Sequence, residues 1–189
     1  MISKVFFKLY QKIGHINDRI KLSYYKHLWK EQFEYDRGFV FDRSSNIDIQ
    51  SGEAKIVFKK GVVFRRYVNI ICSNTGILNI GEKVFFNNYC SINCLHKISI
   101  GADTIFGEGV KLYDHNHLFN DKNKLIQEQG MKYGAIEIGA NCWIGSNTVI
   151  LPNVTIGNNV VIGANNLIFK SVPANTVIMA QSEKFSKVY

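Results

Sequence analysis

The chain has 189 residues, a length that fits one domain. Hydrophobic residues make up 46% of it and only 2 residues are proline, which excludes a disordered linker protein. The net charge of +8 indicates attraction to anions, and charge alone leaves nucleic acid, an acidic membrane surface and a polyphosphate cofactor open. No run approaches the roughly 20 apolar residues of a membrane-spanning helix, and the first ten residues do not resemble a signal peptide, so the predicted location is cytoplasmic.

Residues 1–43 are predicted to be a helical segment. Two apolar series have helical spacing, one formed by Val5, Leu9, Ile13, Ile16 and Ile20 and the other by Tyr24, Tyr25, Leu28, Trp29 and Phe33. Residues 1–35 contain seven basic and three acidic side chains, a net charge of +4. A basic amphipathic helix of this kind either contacts the inner face of an anionic membrane or packs on the protein as a cap or subunit contact.

Residues 44–178 are predicted to form a parallel β-helix, because an aliphatic residue recurs every six positions. The series is clearest in Ile138, Ile144, Ile150, Ile156, Ile162 and Ile168. A six-residue period fits short strands joined by tight turns, and asparagines recur in register at the turn position, where positive φ is tolerated: Asn141, Asn147, Asn153, Asn159 and Asn165. Three faces make one triangular coil of 18 residues, so 138–155 and 156–173 are two complete coils. Upstream, the period is less regular, with an eight-residue step from Ile92 to Ile100 that indicates a small insertion.

One long loop is predicted at residues 113–135, where the six-residue period is interrupted. Long loops inside compact repeat folds usually carry function. This loop also contains two of the five histidines, so the chemistry is expected there. Residues 179–189 are predicted to be a C-terminal tail. Four cysteines without metal-binding spacing are predicted to be buried free thiols: Cys72, Cys90, Cys94 and Cys142.

The hexads, the segment GVKLYDHNH and the block NCWIGSNTVILPNVTIGNNVVIGANN resemble the hexapeptide-repeat acyltransferases. They are most similar to the maltose and galactoside O-acetyltransferase-like branch, which includes bacterial polysaccharide O-acetyltransferases. The resemblance covers roughly residues 76–178. It implies an all-β solenoid, specifically a left-handed parallel β-helix, that assembles as a homotrimer with active sites between subunits. It also implies acetyl-CoA as the co-substrate, bound along the C-terminal coils.

The resemblance carries over a set of candidate site residues. It places the catalytic histidine at His117, seven residues after Val110, and an asparagine near the acceptor at Asn87. Its cofactor-contacting positions fall on Trp143, Ser146, Ala164 and Lys170. Three of these positions also have an ordinary structural explanation: Asn87 as a turn residue, Trp143 as a trimer contact, and Lys170 as a solvated lysine.

The chemistry expected at the loop is general base catalysis. A histidine titrates near working pH and is suited to take the acceptor's proton as its oxygen or nitrogen attacks the thioester. His117 is the predicted base and His115 the alternative. Asp114 or a backbone carbonyl is expected to hold the second ring nitrogen of the base, and Asn87 or a backbone N–H to stabilise the oxyanion.

The predicted function is acetyl-CoA-dependent O-acetylation of a sugar hydroxyl in bacterial polysaccharide, capsule or lipopolysaccharide biosynthesis, without a metal. N-acetylation of a nucleotide-linked amino sugar and a non-enzymatic β-helix scaffold are the alternatives. A zinc enzyme resembling the γ-class carbonic anhydrases would have to use His96, His115 and His117, and a His-x-His pair in one loop does not fit that spacing. The positive net charge alone would also allow nucleic-acid binding, but the sequence contains no nucleic-acid-binding motif that supports it.

Overall fold

The computed structural model describes residues 19–179, in which the chain winds into a triangular parallel β-solenoid. Each turn of the chain places one short strand on each of three faces. Sheet A consists of β1 (Phe33–Tyr35), β4 (Lys55–Phe58), β7 (Ile77–Ile80), β10 (Lys97–Ile100), β15 (Ile136–Ile138) and β18 (Val154–Ile156). Sheet B consists of β2 (Val40–Phe41), β5 (Val63–Phe64), β8 (Phe85–Phe86), β11 (Ile105–Phe106), β16 (Trp143–Ile144), β19 (Val161–Ile162) and β21 (Val177–Ile178). Sheet C consists of β3 (Asn46–Ile49), β6 (Asn69–Cys72), β9 (Ser91–Cys94), β12 (Lys111–Tyr113), β17 (Val149–Ile150) and β20 (Leu167–Ile168).

The coils narrow from the N-terminal to the C-terminal end of the solenoid. Phe41 pairs with Phe64, 23 residues later, whereas Ile144 pairs with Ile162, 18 residues later. The wide coils fill their interior with aromatic side chains, and the narrow coils fill it with aliphatic ones, because protein interiors pack densely at either width. On sheet B, for example, the buried column begins with four phenylalanines and continues with isoleucines: Phe41, Phe64, Phe86, Phe106, Ile144 and Ile162.

A single helix over residues 19–28 covers the wide end of the solenoid. Its Leu22 and Tyr25 are buried in the core, and the Tyr25 hydroxyl donates a 2.9 Å hydrogen bond to the Asn46 side chain. The predicted packing of a helix on the solenoid is therefore observed for this segment. Most of the first predicted apolar series, Val5 to Ile16, lies outside the described residues. Within residues 19–179, no helix combines the length and apolar character needed to cross a bilayer.

The second predicted helix ends earlier than its apolar spacing indicated. Phe33 is fully buried in β1 and pairs with Ile56, so the first coil starts inside the segment predicted to be helical up to residue 43. The two opening strands, β1 and β2, have three and two residues, too few for a period of two to stand out against helical spacing.

Candidate active site

The corner between sheets C and A, which we term the C–A corner, is the one at which coil length varies. The register partners Ile92 and Ile98 are separated by six residues across this corner, whereas Ile150 and Val154 are separated by four. The insertion predicted after Ile92 lies here. The long loop leaves from the same corner, one coil later, so the fold tolerates added residues where the adjoining strands are not disturbed.

The long loop is a two-stranded arm with a tip. β13 (His115–His117) pairs antiparallel with β14 (Met131–Tyr133), and a 3₁₀ turn, Ile126–Glu128, lies between them. The Tyr133 hydroxyl accepts a 3.1 Å hydrogen bond from the Asn74 side chain two coils earlier. The arm is thus attached to the solenoid at its base and along its returning strand.

Asp114 anchors this arm to the coil below. Its buried carboxylate accepts hydrogen bonds of 2.8–3.0 Å from the backbone N–H groups of Leu95, His96 and Lys97, which form the widened corner. Its Oδ1 also lies 3.1 Å from Nδ1 of His115. The structure therefore pairs Asp114 with His115, not with His117, and the expected support of the His117 ring by Asp114 is not formed.

The two loop histidines differ in their surroundings. The His115 ring is mostly buried beside Asp114 and meets Tyr113 edge-on at a centroid distance of 6.4 Å. His117 is exposed, two residues further along β13, and its ring makes no side-chain hydrogen bond within residues 19–179. It lines a pocket of about 650 Å³ together with residues of the loop tip: Lys124, Leu125, Ile126 and Gln127. His117 is thus placed where a ligand can reach it.

Asn87 lies at a different corner, the one between sheets B and C, which we term the B–C corner. Its side-chain oxygen accepts the backbone N–H of Asn88 at 2.9 Å and lies 3.5 Å from the Arg65 guanidinium. The later coils have Gly107 and Gly145 at the position of Asn87. A Cβ on Gly107 would lie 2.6 Å, and one on Gly145 2.5 Å, from a backbone nitrogen of the next coil. Only the wider, earlier coils have room for a side chain there.

The four predicted cofactor positions lie on the C-terminal coils. Trp143 is 54% exposed on the outer face of sheet B and lines a second pocket of about 260 Å³. Ser146 and Ala164 are stacked at the B–C corner, where the Ser146 backbone carbonyl accepts the N–H of Asn165. Lys170 lies at the C–A corner with its ammonium group 5.7 Å from the Phe169 ring. The four positions thus lie in three places: the outer face of sheet B, the B–C corner and the C–A corner.

Within one chain, the predicted base, His117, and the predicted acceptor asparagine, Asn87, lie beyond opposite ends of the strands of sheet C. Strand β9 alone, with four residues, spans about 13 Å at ~3.3 Å per residue. His117 and Asn87 are therefore not brought together in a single copy. Sequence reasoning also missed the pocket residues at the loop tip, since the segment 118–128 has no periodicity to mark them.

The four cysteines are buried free thiols, as predicted. Burial raises the pKa of the Cys90 thiol to about 11. The neighbouring Cys72 thiol, together with burial, raises the pKa of Cys94 well above its ordinary value. The Cys90 and Cys94 thiols are thus poor nucleophiles at neutral pH. Among residues 19–179, no three His, Cys, Asp or Glu side chains converge in a way that would hold a metal ion.

Comparison with known proteins agrees with this fold. Residues 135–170 match the family model of the bacterial transferase hexapeptide (six repeats), which confirms the resemblance inferred from the hexads. A solved structure of AntD, an N-acyltransferase from Bacillus cereus in complex with dTDP-4-amino-4,6-dideoxyglucose and coenzyme A, superposes with a TM-score of 0.67 at 17% identity, covering 83% of this chain and 84% of that one. A maltose O-acetyltransferase from Clostridium difficile 630 gives a TM-score of 0.53 at 24% identity over 90% and 79% of the two chains. The predicted fold class, a left-handed parallel β-helix with an N-terminal helix and one extruded loop, is confirmed.

A relative with higher identity is WbbJ of Escherichia coli (strain K12), a candidate lipopolysaccharide biosynthesis O-acetyl transferase. It is 33% identical over 121 residues, which is 60% of this chain and 62% of WbbJ. The chain spans about three fifths of the length of the first curated relatives that it matches.

Proposed function

We propose that this chain is an acetyl-CoA-dependent O-acetyltransferase that modifies a sugar hydroxyl, with His117 as the general base. The observation that carries the proposal is the position of His117, exposed on the loop arm and lining the pocket of about 650 Å³. The names of the relatives, which include O-acetyl and N-acyl transferases, support the reaction class.

The proposed reaction is a direct transfer. The acceptor oxygen attacks the thioester carbonyl carbon while His117 takes the hydroxyl proton, and a C–O bond forms. The tetrahedral oxyanion is stabilised by N–H donors, with Asn87 supplying its side-chain amide. Collapse breaks the C–S bond, and the departing sulfur receives the proton from His117. The products are an acetyl ester and the free thiol of coenzyme A.

His115 is the second candidate for the base. Its contact with Asp114 is of the kind that orients a catalytic imidazole and stabilises its protonated form. Two observations favour His117 over it: His115 is mostly buried, and the pocket at the loop tip is lined by His117. In the proposed arrangement, Asp114 and His115 fix the start of β13 and so position His117.

Coenzyme A is proposed to lie along the C-terminal coils and to contact Trp143, Ser146, Ala164 and Lys170. Trp143 offers an exposed indole on sheet B, and Lys170 a cation suited to a phosphate group. Direct contact with the cofactor is a proposal carried over from the hexapeptide-repeat resemblance.

A homotrimer with sites between subunits is the proposed assembly. A site that uses both His117 and Asn87 needs two copies of the chain, because the two residues lie at different corners of one copy. The outer face of sheet B also carries an exposed apolar stripe that is typical of an interaction surface, formed by Val40, Ile105, Trp143 and Val177 with Val63, Phe85 and Val161 between them. Sheet A differs, since its outer face carries the ion pairs Lys55–Glu34 and Lys97–Glu137.

The proposed acceptor is a saccharide of bacterial polysaccharide or lipopolysaccharide biosynthesis, as the name of WbbJ supports. The proposed location is the cytoplasm, where the basic residues of the segment 1–35 would approach membrane-linked intermediates. An amino sugar acceptor would use the same histidine chemistry and give an amide in place of the ester.

The test is a free-thiol release assay with acetyl-CoA and a panel of sugars and nucleotide-linked amino sugars, in which wild type is compared with His117→Ala and His115→Ala. Loss of a general base typically costs about 10²- to 10⁴-fold in rate, so His117→Ala is expected to lose acceptor-dependent release by that factor while its unfolding temperature is unchanged. His115→Ala is expected to lose less activity. The reverse order of the two losses would move the base to His115, and the absence of both thiol release and coenzyme A binding in wild type would overturn the transferase in favour of a scaffold.

A further inference from the structure

The B–C corner of the early coils carries two tyrosines in a backbone conformation that bulky side chains avoid. Tyr67 and Tyr89 have φ angles of 59° and 62°. The later coils fill the same position with Gly109, Asn147 and Asn165, the residue types that tolerate positive φ. Strained backbone is concentrated at binding and catalytic sites, so two tyrosines stacked at this position suggest a binding role.

The two tyrosine rings form an exposed stack. Their centroids are 5.0 Å apart and their planes differ by 7°. Stacking on one another still leaves Tyr67 51% exposed and Tyr89 60% exposed. A flat aromatic surface of this kind offers a face for the C–H groups of a sugar ring, with the two phenolic hydroxyls as hydrogen-bonding groups beside it.

Two arginines precede the first tyrosine at the same corner. Arg65 makes no ion pair within residues 19–179, and its guanidinium lies 3.5 Å from the Asn87 side-chain oxygen. Arg66 is exposed and has only a long contact, 3.9 Å, with Asp42. The other carboxylate at this corner, Glu108, already accepts a 2.9 Å hydrogen bond from a side-chain amide. The guanidinium groups are therefore available to bind an anion.

We infer that the Tyr67–Tyr89 stack, with Arg65 and Arg66, is an acceptor subsite for an acidic glycan: a sugar ring stacks on the tyrosines while its carboxylate or phosphate binds the arginines. The inference rests on the proposed transferase function, because the contact of Arg65 with Asn87 places the subsite next to the acceptor end of the proposed site. It narrows the substrate class from sugars in general to negatively charged ones. The net charge of +8 is consistent with that preference.

The subsite is tested by calorimetric binding, without acetyl-CoA, of tetragalacturonate, of the diphosphate sugar UDP-glucose and of neutral maltotetraose. Wild type is expected to bind one or both acidic probes and to bind maltotetraose at least about tenfold more weakly, since both stacking and charge contribute. Which acidic probe binds decides between a carboxylate and a phosphate as the anionic group. Equal binding of maltotetraose, or no binding of either acidic probe, would overturn the inference.

The matching variants are Tyr67→Asn and Tyr89→Asn, which install the residue that later coils use at this position. Both are expected to fold with an unchanged or higher unfolding temperature, because asparagine tolerates a positive φ better than tyrosine does. Both are expected to lose about tenfold or more in affinity for the acidic probe. Lys83→Asn is the control. Lys83 also has a positive φ, 54°, and is a cation, but it lies at the corner between sheets A and B, so its substitution is expected to leave binding unchanged.

The outcomes separate this inference from the proposed function. If wild type releases thiol and the tyrosine variants keep the wild-type KM for the acidic acceptor, the subsite is wrong and the transferase stands. If the acidic probe binds at the tyrosines but no acyl transfer occurs, the proposed function fails and the glycan site stands. Dissociation of the assembly by Tyr67→Asn or Tyr89→Asn, seen by sedimentation, would overturn the subsite by showing that the stack is a subunit contact.

Discussion

Gly145, at the B–C corner of a later coil, is required by close approach and not by backbone conformation. Gly145 does not have a positive φ, yet a Cβ built on it would lie 2.5 Å from the Ala164 nitrogen and 2.6 Å from the Gly163 carbonyl carbon. Both neighbours are backbone atoms of the next coil and cannot move aside alone. The coil spacing of the parallel sheets therefore sets the residue type at this position.

Gly145→Ala is accordingly expected to destabilise the protein by about 2 kcal/mol or more, since the inserted methyl group forces the stacked coils apart. Chemical denaturation of the purified variant measures the loss. Gly52→Ala is the matched control: nothing lies within 4 Å of a Cβ at Gly52, so its free energy of unfolding should stay within about 0.5 kcal/mol of wild type. Equal stability of the two variants would contradict the packing argument.

The loop arm, at the scale of the element, depends on one buried carboxylate. Asp114 is completely buried and accepts three backbone N–H groups of the coil below as well as the His115 ring. Removing its charge leaves buried N–H donors poorly paired, which costs about 1–3 kcal/mol. The arm is therefore expected to open locally before the solenoid unfolds.

Local opening of the arm in Asp114→Asn should appear as faster amide hydrogen exchange at Leu95, His96 and Lys97 and as proteolytic cleavage within the arm. The transferase rate should also fall, because the arm no longer holds His117 in place. Asp121→Asn changes a partly exposed carboxylate at the loop tip and serves as the control. Unchanged exchange at the three amides in Asp114→Asn would show that the anchor is not needed.

The coils and the loop arm show how far the sequence predicts this structure. The hexads from Ile138 to Ile168 determine the three faces, because each inward residue stacks on its counterpart one coil away, and they also delimit the long loop. The early coils were harder to predict, since their added residues at the C–A corner displace the period and β1 and β2 are very short. The anchoring of Asp114 on the backbone of residues 95–97 was not predicted, because hydrogen bonds between a side chain and the backbone of a neighbouring coil leave no spacing pattern in the sequence.

The sequence predicts the candidate site residues but not how they are arranged in space. The resemblance locates His117 in the arm and Asn87 at a coil turn, and the structure adds that they lie at different corners. No sequence pattern indicated the stacking of Tyr67 on Tyr89. The wide coils that accommodate those side chains become evident only when the register of the parallel strands is known.

At the scale of the whole molecule, the separation of His117 and Asn87 makes the proposed active site a property of the proposed homotrimer. In this proposal, one copy contributes its C–A corner and a second copy its B–C corner. If the proposal holds, every site of a His117→Ala or Asn87→Ala trimer lacks one of its two residues. A trimer that contains both kinds of subunit regains an intact pair wherever the two wild-type halves meet.

The most direct test of the account is therefore acceptor-dependent thiol release by assemblies re-formed from an equal mixture of His117→Ala and Asn87→Ala subunits. Random mixing in a cyclic trimer should restore about a quarter of the wild-type rate, while either variant alone stays nearly inactive. Recovery to that level would establish both the acyl transfer at His117 and a site shared between copies. A mixture no more active than its two components, in assemblies shown to have exchanged subunits, would contradict the shared site.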